Sequence, residues 1–419
     1  MTTDADKHSV DAASADTTSS LFANPDYRRL WAAGALTGVA RWLEFIALGI
    51  YAYELTRSPQ LVALLAVLRM MPYVALGFLV GALADRFDRR RLLILGTSIA
   101  ALTAAVMCAL TYAKVANYAA IAAATMVSGA FWTIDMPVRR RILVDTAGVA
   151  RVAKALGFDN STNYATRALG PLIGGATYQL VGIEGIYALI ATAYFTCLIL
   201  AFRLASRRET GGARLSTGLL AALRVPRSLV LDRRFMVIMG VTLDYNLFCF
   251  PFTTMVPVIA QKDFALVPVL VGALSACDGI GGVFGALVVG LLGSERTLFR
   301  IYYFGTLALL SLMLALSFHL EIMTAIGALL LMGAAAACFS ATQYALVHLI
   351  SPPEIRGRAT GILSLFIGTS MIGHYLAGEL FGRLSSHEAI RVMAVAGICL
   401  MLALGLIWRR IKPAASPSH

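Results

Sequence analysis

Six charged side chains, Arg41, Glu44, Arg69, Arg167, Asp244 and Asp278, stand inside long apolar stretches of this chain. Buried in hydrocarbon, each would cost at least ~2.5–3.5 kcal/mol even on the lenient scale, so each calls for a partner or a wet cavity. Three cations against three anions make a set able to neutralise itself. Arg41 and Glu44 are three apart and share a helix face. Asn160, Asn163, Arg167, Gly170 and Gly174 follow helical spacing further on, and Ser275, Asp278, Gly282 and Gly285 do so again. Such stripes do not face lipid, and the economical arrangement is a central polar cavity in which these groups compensate one another and meet a solute. Desolvation favours a neutral carboxyl and a neighbouring arginine favours a charged one, which makes Glu44, Asp244 and Asp278 candidates to take and release a proton. Arg41 flanks Glu44, whereas no cation lies near Asp244 or Asp278 in sequence, so these two are the favoured titrating sites. His374 and Glu379 rank second, the first nearer the middle of its apolar stretch and the second towards its outer end.

The elements that must hold these groups follow from composition. Of 419 residues, 59% are hydrophobic and only 14% charged, and the mean hydropathy is +0.77. A helix needs roughly 20 apolar residues to cross a bilayer core. The pattern predicts helices over 31–54, 60–83, 92–112, 115–138, 155–180, 185–204, 235–259, 268–292, 299–318, 322–349, 358–382 and 388–408. The expectation is therefore an all-α membrane protein of twelve transmembrane helices arranged as two pseudo-symmetric six-helix bundles. Its parts are a disordered tail over 1–27, bundles over 28–204 and 235–410, a linker over 205–234 able to form an amphipathic surface helix, and a tail over 411–419.

The net charge of +12 invites thoughts of nucleic acid, but its placement decides otherwise. Most of the 35 Lys and Arg fall in the tails and even-numbered loops, so the positive-inside rule makes those loops and both termini cytoplasmic. The first 25 or so residues lack the basic start and apolar stretch of a secretory signal. The six cysteines sit within apolar segments without CxxC spacing, so neither a disulfide framework nor a metal site is expected. No nucleophile–base arrangement, zinc-helix motif or phosphate loop appears, so an enzyme and a cofactor are not expected.

The loops between helices carry acids among their arginines. Gly81, Asp85, Arg86, Asp88, Arg89 and Arg90 follow the second predicted helix, and Trp132, Asp135 and Arg139 share a face at the inner end of the fourth. Positive-inside charge does not account for the interleaved carboxylates. A switchable cytoplasmic latch does, with Asp85 at a helix N-terminus and an arginine paired to Asp135.

These residues resemble the major facilitator superfamily. Gly81, Asp85, Arg86, Arg89 and Arg90 match its loop 2–3 signature, with Asp88 where the second glycine usually stands. Gly170, Pro171, Gly174 and Gly175 resemble the core of the signature associated with antiporters, with Thr166 replacing an earlier glycine. The phrases Tyr53 to Pro59 and Pro353 to Arg358 are similar to the bacterial branch of drug:proton antiporters and enterobactin-type siderophore exporters. The resemblance implies alternating access by two rocking bundles in a bacterial inner membrane, with protons as coupling ion, a small amphipathic molecule as cargo, and a monomer as the working unit. Solute uptake or flipping of a lipid-like substrate would use the same scaffold, and a non-transporting scaffold or sensor is the reading from another class.

Overall fold

The computed structural model describes residues 21–86, 88–148, 151–205, 231–294, 297–352 and 355–409, with side chains at all of these except 76–86, 153 and 409. Most of the two tails, the body of the 205–234 linker, and the side chains of Gly81, Asp85 and Arg86 lie outside the described residues.

Among the described residues there is no strand. The helical runs are α1 (Pro25–Thr56), α2 (Pro59–Arg86), α3 (Arg89–Tyr112), α4 (Tyr118–Ala147), α5 (Val152–Phe202), α6 (Arg233–Lys262), α7 (Pro268–Leu292), α8 (Leu298–Leu316), α9 (Ile322–Ile350), α10 (Arg356–Arg383) and α11 (Ser386–Arg409). Ten are long and apolar enough to cross a membrane, and α2 has a shorter apolar stretch, Pro59–Ala75. The expected fifth and sixth helices are joined as α5, which turns at Gly182, where φ is 77°. A single residue in a region open to glycine makes the bend, so no loop is needed. Only by counting the two legs of α5 separately does the number of helices reach twelve.

Local sequence sets the ends. Asn24 caps α1 by accepting from the Asp26 amide at 2.9 Å, ahead of Pro25. Asn117 caps α4 through the Ala120 amide at 2.9 Å. Asp88 caps α3 through the Arg91 amide at 3.1 Å, which gives the residue standing in place of the signature glycine a role of its own. In α6 a π turn, Tyr245–Cys249, precedes Pro251 and absorbs the missing hydrogen bond that a proline imposes. The run α10 breaks at Thr369. Helices α1 and α4 extend beyond their predicted ends, to Pro25 and Ala147, because the charged residues there are capped or paired and do not belong to a solvated loop.

Helices α1 to α5 pack among themselves, as do α6 to α11, and the two groups meet along α5 with α7, α2 with α10, and α1 with α6. The end of the molecule bearing the starts of α1 and α5 is here the near end, and the opposite one the far end. Towards the far end Gly175 of α5 and Gly272 of α7 lie so close that a Cβ on either would sit 3.0 Å from the Cα of the other and closer still to a backbone carbonyl oxygen. Small residues permit this approach, which packs helices where no hydrophobic force drives them together.

Candidate functional site

Between the two groups lies a cavity of about 270 Å3, walled by residues of α1, α2, α4, α5, α6, α7, α9 and α10. Its charged and polar wall includes Arg41, Arg69, Arg167, Ser275, Asp278 and His374, and its aromatic wall Trp42, Phe45, Trp132 and Phe250.

Arg167 on α5 reaches across to Asp278 on α7, with Nε donating to Oδ2 at 2.9 Å and Nη2 to the same atom at 2.5 Å. This ion pair ties one helix group to the other. Arg69 on α2 faces Glu44 on α1 at 3.5 Å, and the Ser128 hydroxyl on α4 donates to the other carboxylate oxygen of Glu44 at 2.8 Å. Arg41 forms no salt bridge among the described residues; its Nη2 donates to Oδ1 of Asn163 at 2.6 Å. The three guanidinium groups also lie over indole rings: Arg41 and Arg69 over Trp132 at 5.2 and 4.8 Å, Arg41 and Arg167 over Trp42 at 5.8 and 5.5 Å. Such stacking favours a desolvated cation. His374 points Nδ1 at the Ser370 carbonyl oxygen, 2.6 Å away, so that nitrogen carries the proton and donates.

Arg41, Arg69, Arg167, Asp278 and His374 thus line one cavity, and Glu44 and Asn163 hold its arginines from behind. Two expected members are elsewhere. Asp244 is fully buried but not on the cavity wall: it precedes the π turn, on a flank of α6 turned away from Phe250 and Thr253, and packs towards Gly397 of α11. Neither of its carboxylate oxygens has a hydrogen-bond partner among the described residues. Membrane depth can be read from sequence, but a wide turn changes which way a helix face points. Glu379 sits near the far end of α10, bonded to Arg383 at 2.7 Å, because an i,i+4 partner near the surface is within easy reach.

The expected latch is a network within the first helix group. Asp135 and Arg139 pair on one helix at 3.5 Å, but the hub is Asp159 of α5, which takes Arg139 at 2.8 Å and Arg140 at 2.7 Å. Arg89 bonds Asp145 at 2.8 Å, and Arg90 donates to the carbonyls of Ala201 and Phe202, the last turn of α5. Asp159 was not visible as a partner in sequence, since nothing local links it to arginines some twenty residues away. Removing it leaves the buried Arg139 with the longer contact to Asp135, so Asp159→Ala is expected to lower stability by about 3–5 kcal/mol, read as a drop in melting temperature in detergent; an unchanged transition would contradict the hub.

The glycine motif of α5 divides its work. Gly170 lies against Trp42 and Gly174 against Leu43 and Ile46 of α1, whereas Gly175 and the Pro171 carbonyl face α7. The aromatic wall escaped the sequence reading. Its signal was Trp42, an indole in mid-helix where membrane tryptophans ordinarily sit at the interfaces.

A helical bundle in two groups around a charged cavity defines a multi-pass membrane protein, and the chain belongs to the Major Facilitator Superfamily, whose profile it matches over residues 30–369. It is 22% identical over 387 residues to the staphyloferrin A transporter of Staphylococcus aureus, covering 89% of this chain and 94% of that one. It is 25% identical over 393 residues to the MFS-type transporter YfiS of Bacillus subtilis, covering 90% and 91%. Among solved structures, the nucleoside transporter NupG matches with a TM-score of 0.71 at 13% identity, over 92% of this chain and all of NupG. A bacterial homologue of the human lysosomal transporter Spinster, inward-facing and unoccupied, gives 0.73 at 15%, over 91% and 95%. These structural likenesses speak for the fold alone.

Proposed function

We propose that this chain is a secondary active transporter working by alternating access, and that it couples proton flow to export of a small amphipathic molecule, drug-like or siderophore-like. The observation that carries the reading is the cavity between two helix groups, walled by arginines and an aspartate that would be expensive in lipid and useless in a dry packing interface. Rocking of a bundle over 28–204 against one over 235–410 would open it to one side and then the other, with the network around Asp135, Arg139 and Asp159 keeping the near end of the first bundle rigid. The cytoplasm is assigned to the near end by its arginines. The relative named as a staphyloferrin A transporter supports a siderophore-like cargo, and the glycine motif of α5 supports export.

Asp278 is committed to Arg167, whereas Asp244 is buried with no hydrogen-bond partner for either oxygen among the described residues, so Asp244 is the favoured proton carrier. Purified protein in liposomes, screened against candidate solutes with the proton gradient imposed and then collapsed, tests the whole. Transport should follow the gradient in the native protein, and Asp244→Asn should leave counterflow while removing at least about tenfold of the gradient-driven accumulation, equivalent to ~1.4 kcal/mol of coupling. Accumulation that stays equally gradient-dependent in Asp244→Asn would remove this residue from the mechanism, and absence of any solute flux would remove the transporter reading.

A further inference from the structure

We infer that the cargo site is built for an organic anion: a planar or bulky apolar body bearing a carboxylate, with the carboxylate seated among Arg41, Arg69 and Arg167. The inference rests on the transporter reading and narrows its substrate.

The cavity carries more positive than negative charge. Its wall has three arginines and one carboxylate, Asp278, with Glu44 behind Arg69; Asp244 and Glu379 are elsewhere. Both of those carboxylates are engaged, Asp278 by Arg167 and Glu44 by Arg69 and Ser128. Arg41 is the cation without a salt bridge among the described residues: it donates to the neutral side chain of Asn163 and lies over Trp132 and Trp42, with the Asp135 carboxylate attracting it only from a distance. Beneath the wall, Arg41 Nε, Arg69 Nη1 and Trp42 Nε1 are buried donors without hydrogen-bond partners among the described residues. A guanidinium offers only donors, and a carboxylate is the acceptor that matches its fork.

The same geometry argues against a lipophilic cation. Such a cargo is held by aromatic faces or free carboxylates. Here both indoles already carry guanidinium groups, Trp132 those of Arg41 and Arg69, Trp42 those of Arg41 and Arg167. An incoming cation would meet three like charges within a low-dielectric space. The apolar remainder of the wall, Phe45, Met70, Phe250 and Val256 among it, suits the body of the molecule.

Three probes of one shape and different charge separate these cases: naphthalene-2-carboxylate, naphthalene-2-carboxamide and naphthalen-2-ylmethanamine. Their equilibrium binding to the full chain in detergent at neutral pH is the measurement. The carboxylate is expected to bind at least about tenfold more tightly than the amide, a difference typical of one charge-assisted contact, and the amine no better than the amide. Arg41→Gln, which breaks no salt bridge among the described residues and leaves Asp135 its pairing with Arg139, should bring the carboxylate down to the amide's level while the melting temperature holds. Arg41→Lys should restore part of the preference. Equal binding of all three, tighter binding of the amine, no binding of the carboxylate to folded protein, or a carboxylate affinity indifferent to Arg41→Gln would each overturn the inference. Counterflow decides the transporter reading separately: a vesicle that carries the amine and not the carboxylate would leave that reading standing and remove this one.

Discussion

Replacing Arg167 with alanine is expected to reduce transport at least about a hundredfold. The change leaves Asp278 as an uncompensated charge facing the cavity, and breaking a buried ion pair by removing one partner costs about 3–5 kcal/mol. The side chains of Arg167 and Asp278 are 18% and 16% exposed, so the lower part of that range applies. Because the pair crosses from α5 to α7, the loss falls on the contact between the two helix groups and not on the packing of either. Asp278→Ala should act in the same direction. The informative variant is the reversal, Arg167→Asp with Asp278→Arg. If the pair serves to hold the groups in register, reversal recovers much of the transport lost in the single variants; if Arg167 must touch cargo, reversal recovers stability without transport. Single variants with near-native flux would show that the pair matters to neither.

Gly175→Val should be the second severe substitution, for a steric reason. A side chain there meets the Pro268 carbonyl and the Gly272 backbone, neither of which can turn away as a side-chain tip does. Overpacking typically costs about 1–3 kcal/mol, which shifts a two-state equilibrium by roughly fivefold to 150-fold. The cost falls on the state in which the far end is closed, so the open state gains. Transport should fall by at least about tenfold. Acrylamide should quench tryptophan fluorescence more strongly, because Trp42 and Trp132, two of the four tryptophans, line the cavity. Unaltered quenching together with unaltered flux would mean that this seam never separates.

The fold was legible because lipid leaves few solutions. Runs of apolar residues with arginine-rich connections locate helices and their sides, and neither signal depends on tertiary detail. What escaped were features decided by one residue or by distant partners. Gly182 turned an expected loop into a bend, and Asp159, which nothing in the sequence linked to Arg139 and Arg140, pairs with both. The site divided along the same line. Depth grouped Arg41, Arg69, Arg167 and Asp278, which line one cavity in the structure, because a charge in hydrocarbon must find company. Depth did not give direction around the helix axis, so Asp244, next to a π turn, was assigned to the wrong side of α6. The pairing of Arg167 with Asp278 could not be read at all, since sequence fixes the height of each and not which of its neighbours it faces.

The salt bridges among the described residues are unevenly shared. Those from Asp26 to Asp159 all lie within α1 to α5, one crosses to α7, and the second group has only the surface pair of Glu379 and Arg383. Its helices α7 and α9 are joined where Gly281, Gly285 and Gly333 bring backbones together. Attraction between charges is felt before surfaces touch, whereas dispersion between backbones is felt only on arrival. As the polypeptide is laid into the bilayer from its N-terminus, the earlier helices can therefore select their neighbours at a distance. The later ones must sample positions until complementary surfaces mate, with the finished first bundle as their template.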